Sequence, residues 1–171
     1  MWTLMPILVI MLTITLDQIS KALILLYLPP EGQVIIPGVF RFTYVENEGM
    51  AFGLLSDHRW VFLVLSSLGI LLVIFYLYRF TAKALPRVAL ALIVGGGIGN
   101  MIDRLALGYV IDFLYFCAFP SIWPWVFNVA DAAVCVGGAI FFITLIIDLI
   151  NEDKKKKSGH TGEPPKEQGN A

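Results

Sequence analysis

Four long apolar runs constrain this chain more than any other feature. A helix that crosses the hydrocarbon core of a bilayer needs about 20 mostly apolar residues. The runs fall at about 4–27, 60–78, 86–102 and 130–150. The first closes at Pro29-Pro30, which cannot continue a helix. The second contains no Asp, Glu, Lys or Arg, and the third opens on Pro86, a favourable first-turn residue. The first run has no Lys or Arg before it and no small-residue cleavage site, so we read it as a retained span rather than a removed leader. The expected architecture is an all-α polytopic membrane protein, with four transmembrane helices in one domain over 1–153.

Composition supports this. Of the 171 residues 58% are hydrophobic and 15% charged, against roughly 25% charged in soluble domains. A net charge of -1 also leaves no basic face for nucleic acid. Lys and Arg are retained on the cytoplasmic side of short loops. Arg79, Lys83 and Arg87 lie in the second loop and Lys154–Lys157 follow the last run, against Arg41, Arg59 and Arg104 in the other two loops. Both termini are therefore expected in the cytoplasm, with loops 29–59 and 103–129 outside. The tail 154–171 is basic, lacks an apolar period and is expected to be disordered.

The outer loops carry more than connections. Phe40, Phe42 and Tyr44 alternate along residues 39–45, as in a strand with one apolar face. Tyr115, Phe116, Phe119, Trp123 and Trp125 suit the headgroup layer. A small β-containing extracytoplasmic layer follows.

An ionisable group near a span costs about 2.5–3.5 kcal/mol at the helix centre, so each needs a reason. Asp17 and Lys21 stand four apart on one helix face in the favourable acid-before-base order. We read them as a structural pair rather than a substrate or proton site, because the pair answers its own cost. Asp103 and Arg104 are adjacent and point about 100° apart, so each needs a different partner; Asn100 shares the face of Arg104. Asp112 and Asp131 fall at the same depth on the outer side, and no basic residue occurs in 113–130, so little stands nearby to neutralise either one. Two carboxylates in a low-dielectric site share a proton, which is the arrangement aspartic proteolysis needs. A helix N-terminal carboxylate is the alternative for Asp131. Gly95 and Gly99 form a GxxxG pair inside a span, which favours helix packing over phosphate binding. His58 and His160 lie in different compartments, and Cys117 and Cys135 lack CxxC spacing, so neither a metal site nor a disulfide is expected.

Five motifs in chain order resemble the bacterial lipoprotein signal peptidases (signal peptidase II). They are Asp17-Gln18-Ile19-Ser20-Lys21, then Asn47-Glu48-Gly49-Met50-Ala51-Phe52-Gly53, then residues 95–104 running from Gly95 to Asp103-Arg104, then Gly108-Tyr109-Val110-Ile111-Asp112-Phe113, and Phe127-Asn128-Val129-Ala130-Asp131. The resemblance covers roughly residues 5–150; Met50 stands where a smaller residue is more familiar. It implies a multi-pass aspartic endopeptidase of the bacterial inner membrane, active at its outer face. Its substrates would be prolipoproteins, cut just before a diacylglyceryl-modified Cys, and its inhibitor globomycin. Asp112 and Asp131 would be the catalytic dyad; Asn47, Asn100, Arg104 and Asn128 would support the dyad and the substrate main chain. No metal or organic cofactor is implied. A helical signal peptide must be extended when cut, and pairing with the strand-like outer segment would hold it so. The competing reading is a small proton-coupled transporter relaying protons through Asp17, Lys21, Asp112 and Asp131.

Overall fold

The computed structural model describes residues 4–49 and 59–160. Four helices and four strands run in the order α1 (Leu4–Tyr27), β1 (Gln33–Ile36), β2 (Phe40–Asn47), α2 (Arg59–Arg79), α3 (Ala84–Ala106), β3 (Val110–Phe116), β4 (Val126–Phe127) and α4 (Val129–His160). Three of the helices, α1, α3 and α4, are long and apolar enough to cross a membrane. The fourth expected crossing lies in α2, whose described apolar part, Leu63–Arg79, is shorter.

The packing is inverted relative to a soluble bundle. On α1 the buried residues are Pro6, Thr13, Asp17 and Lys21, spaced by seven and four along one face. Large apolar side chains point outward instead, among them Leu8 (68% exposed), Leu26 (72%) and Leu72 (69%). That exposure is tolerable only where the surroundings are themselves apolar. Helix α3 is the centre of the molecule, with Ala89, Leu90, Ala91 and Val94 buried and both α1 and α4 packed on it.

Glycines make this close approach possible. A Cβ at Gly95 would stand 2.7 Å from Thr13 Cβ of α1, and one at Gly96 only 2.3 Å from the Ala130 carbonyl oxygen of α4. The small residues of α3 therefore seat two neighbours at once, as GxxxG packing requires. Because a backbone oxygen cannot step aside, Gly96→Ala is expected to destabilise the protein by about 1–3 kcal/mol. The check is the unfolding temperature of the purified variant in detergent; an unchanged value would mean that α3 and α4 separate at no cost.

The strands form one antiparallel sheet in the order β1-β2-β3-β4. The small β-layer expected between the helices is thus present. Strand β2 runs to Asn47, beyond the alternating stretch, and β1 and β4 had no clear periodicity because each is very short. Along β2, Phe42 pairs with Leu114 but Val45 with Asp112, so three steps on β2 match two on β3. This is a β-bulge, one extra residue that re-aims the side chains beyond it.

One expectation fails. Residues 154–160, assigned to a disordered tail, continue α4 without a break to His160. An established helix adds residues without a new nucleation cost, and Lys and Glu are good helix formers. Residues 161–171, Met50 to Gly53 of the second motif, and His58 lie outside the described residues.

Candidate active site

The start of α4 is held by a reciprocal cap. Asn128 is the N-cap, and its Oδ1 accepts the Asp131 N–H at 2.8 Å, while Asp131 Oδ2 accepts the Asn128 N–H at 3.3 Å. This is the geometry of a capping box, with Asn and Asp in place of the usual Ser/Thr and Glu. The Asn128 side chain is fully buried, and its two amide hydrogens go to different places: Nδ2 donates to Asp112 Oδ1 at 2.7 Å and to Asn100 Oδ1 at 3.0 Å. Asn100 in turn donates from Nδ2 to Asp131 Oδ1 at 2.7 Å. A ring of amides therefore connects the two carboxylates.

Asn47 closes the other side. The bulge in β2 brings it opposite Val110, two residues along β3 from Asp112. Diagonal neighbours on one sheet face lie within side-chain reach, and Asn47 Nδ2 donates to Asp112 Oδ2 at 2.8 Å. Its Oδ1 accepts the Gly49 N–H, fixing the amide's orientation. Each oxygen of Asp112 and of Asp131 thus receives one donor and keeps lone-pair capacity for water or substrate.

Both carboxylates open onto one cavity of about 520 Å³, which Asn47, Asn100 and Arg104 also line. Trp123, Trp125, Val126 and Phe127 supply an apolar wall. Arg104 reaches the Gly49 carbonyl oxygen with Nη2 at 3.4 Å. All six candidate site residues converge here: five line the cavity and Asn128 lies directly behind.

Asp112 is only 2% exposed, and its carboxyl is pushed up to about 6. Burial is the main cause; the negative charge of Asp131 adds to it, while the bonds from Asn47 and Asn128 and the charge of Lys21 oppose it. A carboxyl that binds its proton more tightly folded than unfolded stabilises the fold fully below about pH 4, and that stability is lost as pH rises through about 6. The unfolding temperature is therefore expected to decline between pH 4.5 and 7, and the decline should be shallower in Asp112→Asn. An identical slope in both proteins would exclude Asp112 as its source.

The Asp17–Lys21 pair is present, with Nζ 2.8 Å from Asp17 Oδ2. It is larger than the sequence indicated. Lys21 also pairs with Asp103 Oδ2 at 2.7 Å and donates to Asn100 Oδ1 at 3.1 Å, while Gln18 Nε2 bridges Asp17 and Asp103. The expectation of carboxylates with little nearby to neutralise them is corrected accordingly: Arg104 shares their cavity and Lys21 stands one amide away. Asp103 and Gln18 escaped sequence reasoning as members of this cluster because their partner lies on another helix. Among the described residues no group of His, Cys, Asp and Glu is arranged as metal ligands would be, and Cys117 and Cys135 are both free.

Known proteins share this architecture. A family model described as signal peptidase (SPase) II matches residues 9–147. Proteins named lipoprotein signal peptidase from Syntrophomonas wolfei and Clostridioides difficile are 39% and 40% identical over 145 and 141 residues, covering 84% and 82% of this chain and 94% and 93% of theirs. A solved structure described as a bacterial membrane enzyme aligns with a TM-score of 0.79 at 27% identity, over 86% of this chain and 90% of its own.

Proposed function

Since the chain belongs to the signal peptidase II family of membrane peptidases, we propose that it cuts the signal peptide from prolipoproteins just before a diacylglyceryl-modified Cys, using Asp112 and Asp131 as its catalytic dyad. The observation that carries this is the pair of carboxylates opening onto one cavity, bridged by Asn100 and Asn128 and faced by Arg104. One carboxylate takes a proton from the attacking water while the other, protonated, gives its proton to the scissile carbonyl oxygen. The C–N bond of the resulting gem-diol then breaks: the protonated carboxylate gives its proton to the departing amine nitrogen while the other takes the proton of a gem-diol hydroxyl as the carbonyl re-forms, which leaves the dyad with one proton as before. Arg104 and the Asn side chains hold the dyad and the substrate main chain. An extended cleavage segment would not pair with the segment 39–45, because β2 already lies between β1 and β3; it would pair instead at β4, which ends the sheet and whose Val126 and Phe127 line the same cavity.

The depth fits the substrate. A signal peptide is an apolar helix, and its cleavage point with the attached diacyl chains belongs at the membrane surface, where the sheet and the start of α4 meet. We place the protein in the bacterial inner membrane with four crossings through α1–α4, both termini cytoplasmic and the site outside. Reporter fusions at residue 83 and residue 115 are expected to locate inside and outside; the reverse would overturn the orientation. A proton-coupled transporter has no observation in its favour, because the carboxylates gather at one edge instead of along a path.

The direct test is turnover of a synthetic diacylated prolipoprotein peptide by the purified protein, with and without globomycin. Cleavage before the lipidated Cys that globomycin blocks supports the assignment. Cleavage elsewhere, or of the unlipidated peptide equally well, would overturn it.

A further inference from the structure

Two backbone amides flank the two aspartates, and both end on one buried ion cluster. The Ala130 N–H, next to Asp131, donates to Asp17 Oδ1 at 2.9 Å. The Ile111 N–H, next to Asp112, donates to Asp103 Oδ2 at 3.2 Å. Lys21 Nζ then joins the two acceptors, 2.8 Å from Asp17 and 2.7 Å from Asp103. Gln18 Nε2 lies across the same pair, 3.2 Å from Asp17 Oδ2 and 2.9 Å from Asp103 Oδ1. Asp17, Lys21 and Asp103 are 0%, 2% and 3% exposed.

A pair that served only to cancel charge would need neither amide. Here each carboxylate uses an oxygen on the residue adjoining a catalytic position, one on β3 and one on α4. We propose that Asp17, Lys21 and Asp103 form a positioning clamp that sets the separation of Asp112 and Asp131, and through Lys21 and Asn100 the direction of the amide facing Asp131. This rests on the dyad assignment above. The clamp is rigid for three physical reasons. Its ions are buried, so no water competes for them. Asp17 is pressed against Gly99, where a Cβ would stand 2.6 Å from Oδ2. Lys21 holds the Asn100 oxygen, so the Asn100 NH2 must face Asp131. A displacement of about 1 Å from outside the reacting groups can cost about 100-fold in rate, so anchoring both aspartates to one cluster has a direct kinetic consequence.

The test separates position from charge in the full-length purified protein. Asp103→Asn removes the charge but keeps an oxygen for Ile111 N–H and Lys21. Asp103→Glu keeps the charge and moves the carboxylate by one methylene. The clamp predicts the Asn variant within about tenfold of wild-type kcat and the Glu variant down about 100-fold, with KM changed less than about threefold in both. The opposite ranking, or wild-type kcat in the Glu variant, would overturn the proposal. If Asp103→Glu does not fold, Lys21→Arg decides: it keeps the cation and both carboxylates but lengthens the side chain that joins them, so a kcat down about 100-fold with KM changed less than about threefold supports the clamp, and wild-type kcat in folded protein overturns it. Asp112→Asn is assayed beside them. Full turnover there removes the dyad assignment, a result distinct from any ranking of the Asp103 variants.

Discussion

Asp112→Asn and Asp131→Asn are each expected to lower turnover of a diacylated prolipoprotein peptide by at least about 10⁴-fold while leaving the protein folded. Members of a catalytic unit fail together, so either replacement should cost nearly as much as both. The amide is nearly isosteric with the carboxylate, and much of the surrounding scaffold survives the change. Asn100 and Asn128 remain bonded to each other, and the α4 cap keeps the bond from the Asp131 N–H to Asn128 Oδ1. What disappears is the capacity to take a proton from water and return it. The measurement is single-turnover cleavage by monodisperse protein; near wild-type rates in either variant would remove that residue from the chemistry.

Lys21→Ala is the second large effect, expected chiefly in stability. The ammonium is 2% exposed and pairs with two carboxylates that are themselves almost fully buried. Removing it leaves Asp17 and Asp103 facing each other without that cation. Breaking a buried ion pair by deleting one partner costs about 3–5 kcal/mol, a large share of the 5–15 kcal/mol that holds a typical domain together. A steep fall in yield and in unfolding temperature is expected, with turnover falling alongside. An unfolding temperature unchanged from wild type would show that the cluster contributes no net stability.

The long apolar helices were legible because bilayer thickness sets the length of such runs. The expected run 4–27 coincides with α1, and 60–78 differs from α2 by one residue at each end. The third helix runs further, from Ala84 to Ala106, because Asp103 and Arg104 continue it past the apolar run and bond within the protein. The six candidate site residues stand in motifs of the sequence, and the structure gathers them around one cavity; the Asp17–Lys21 pair was legible through its four-residue spacing. Partners across elements were not. Asp103 reads as a boundary residue until α1 and α3 are packed, since nothing in its neighbourhood in the chain points to Lys21. The cap on α4 is written in Asn128-Val129-Ala130-Asp131, yet its Asn and Asp differ from the Ser/Thr and Glu by which such caps are recognised. The β2 bulge has no signature in composition; it exists only relative to β3.

That bulge makes strand length and strand geometry compensate each other. The stretch between Phe42 and Val45 holds one residue more than a regular ladder would use, and the bulge takes it up, so that Asn47 still arrives opposite Val110 and beside Asp112. Straightening the strand without shortening it would turn Asn47 to the far face of the sheet, whereas removing the surplus residue together with the bulge would leave the register intact.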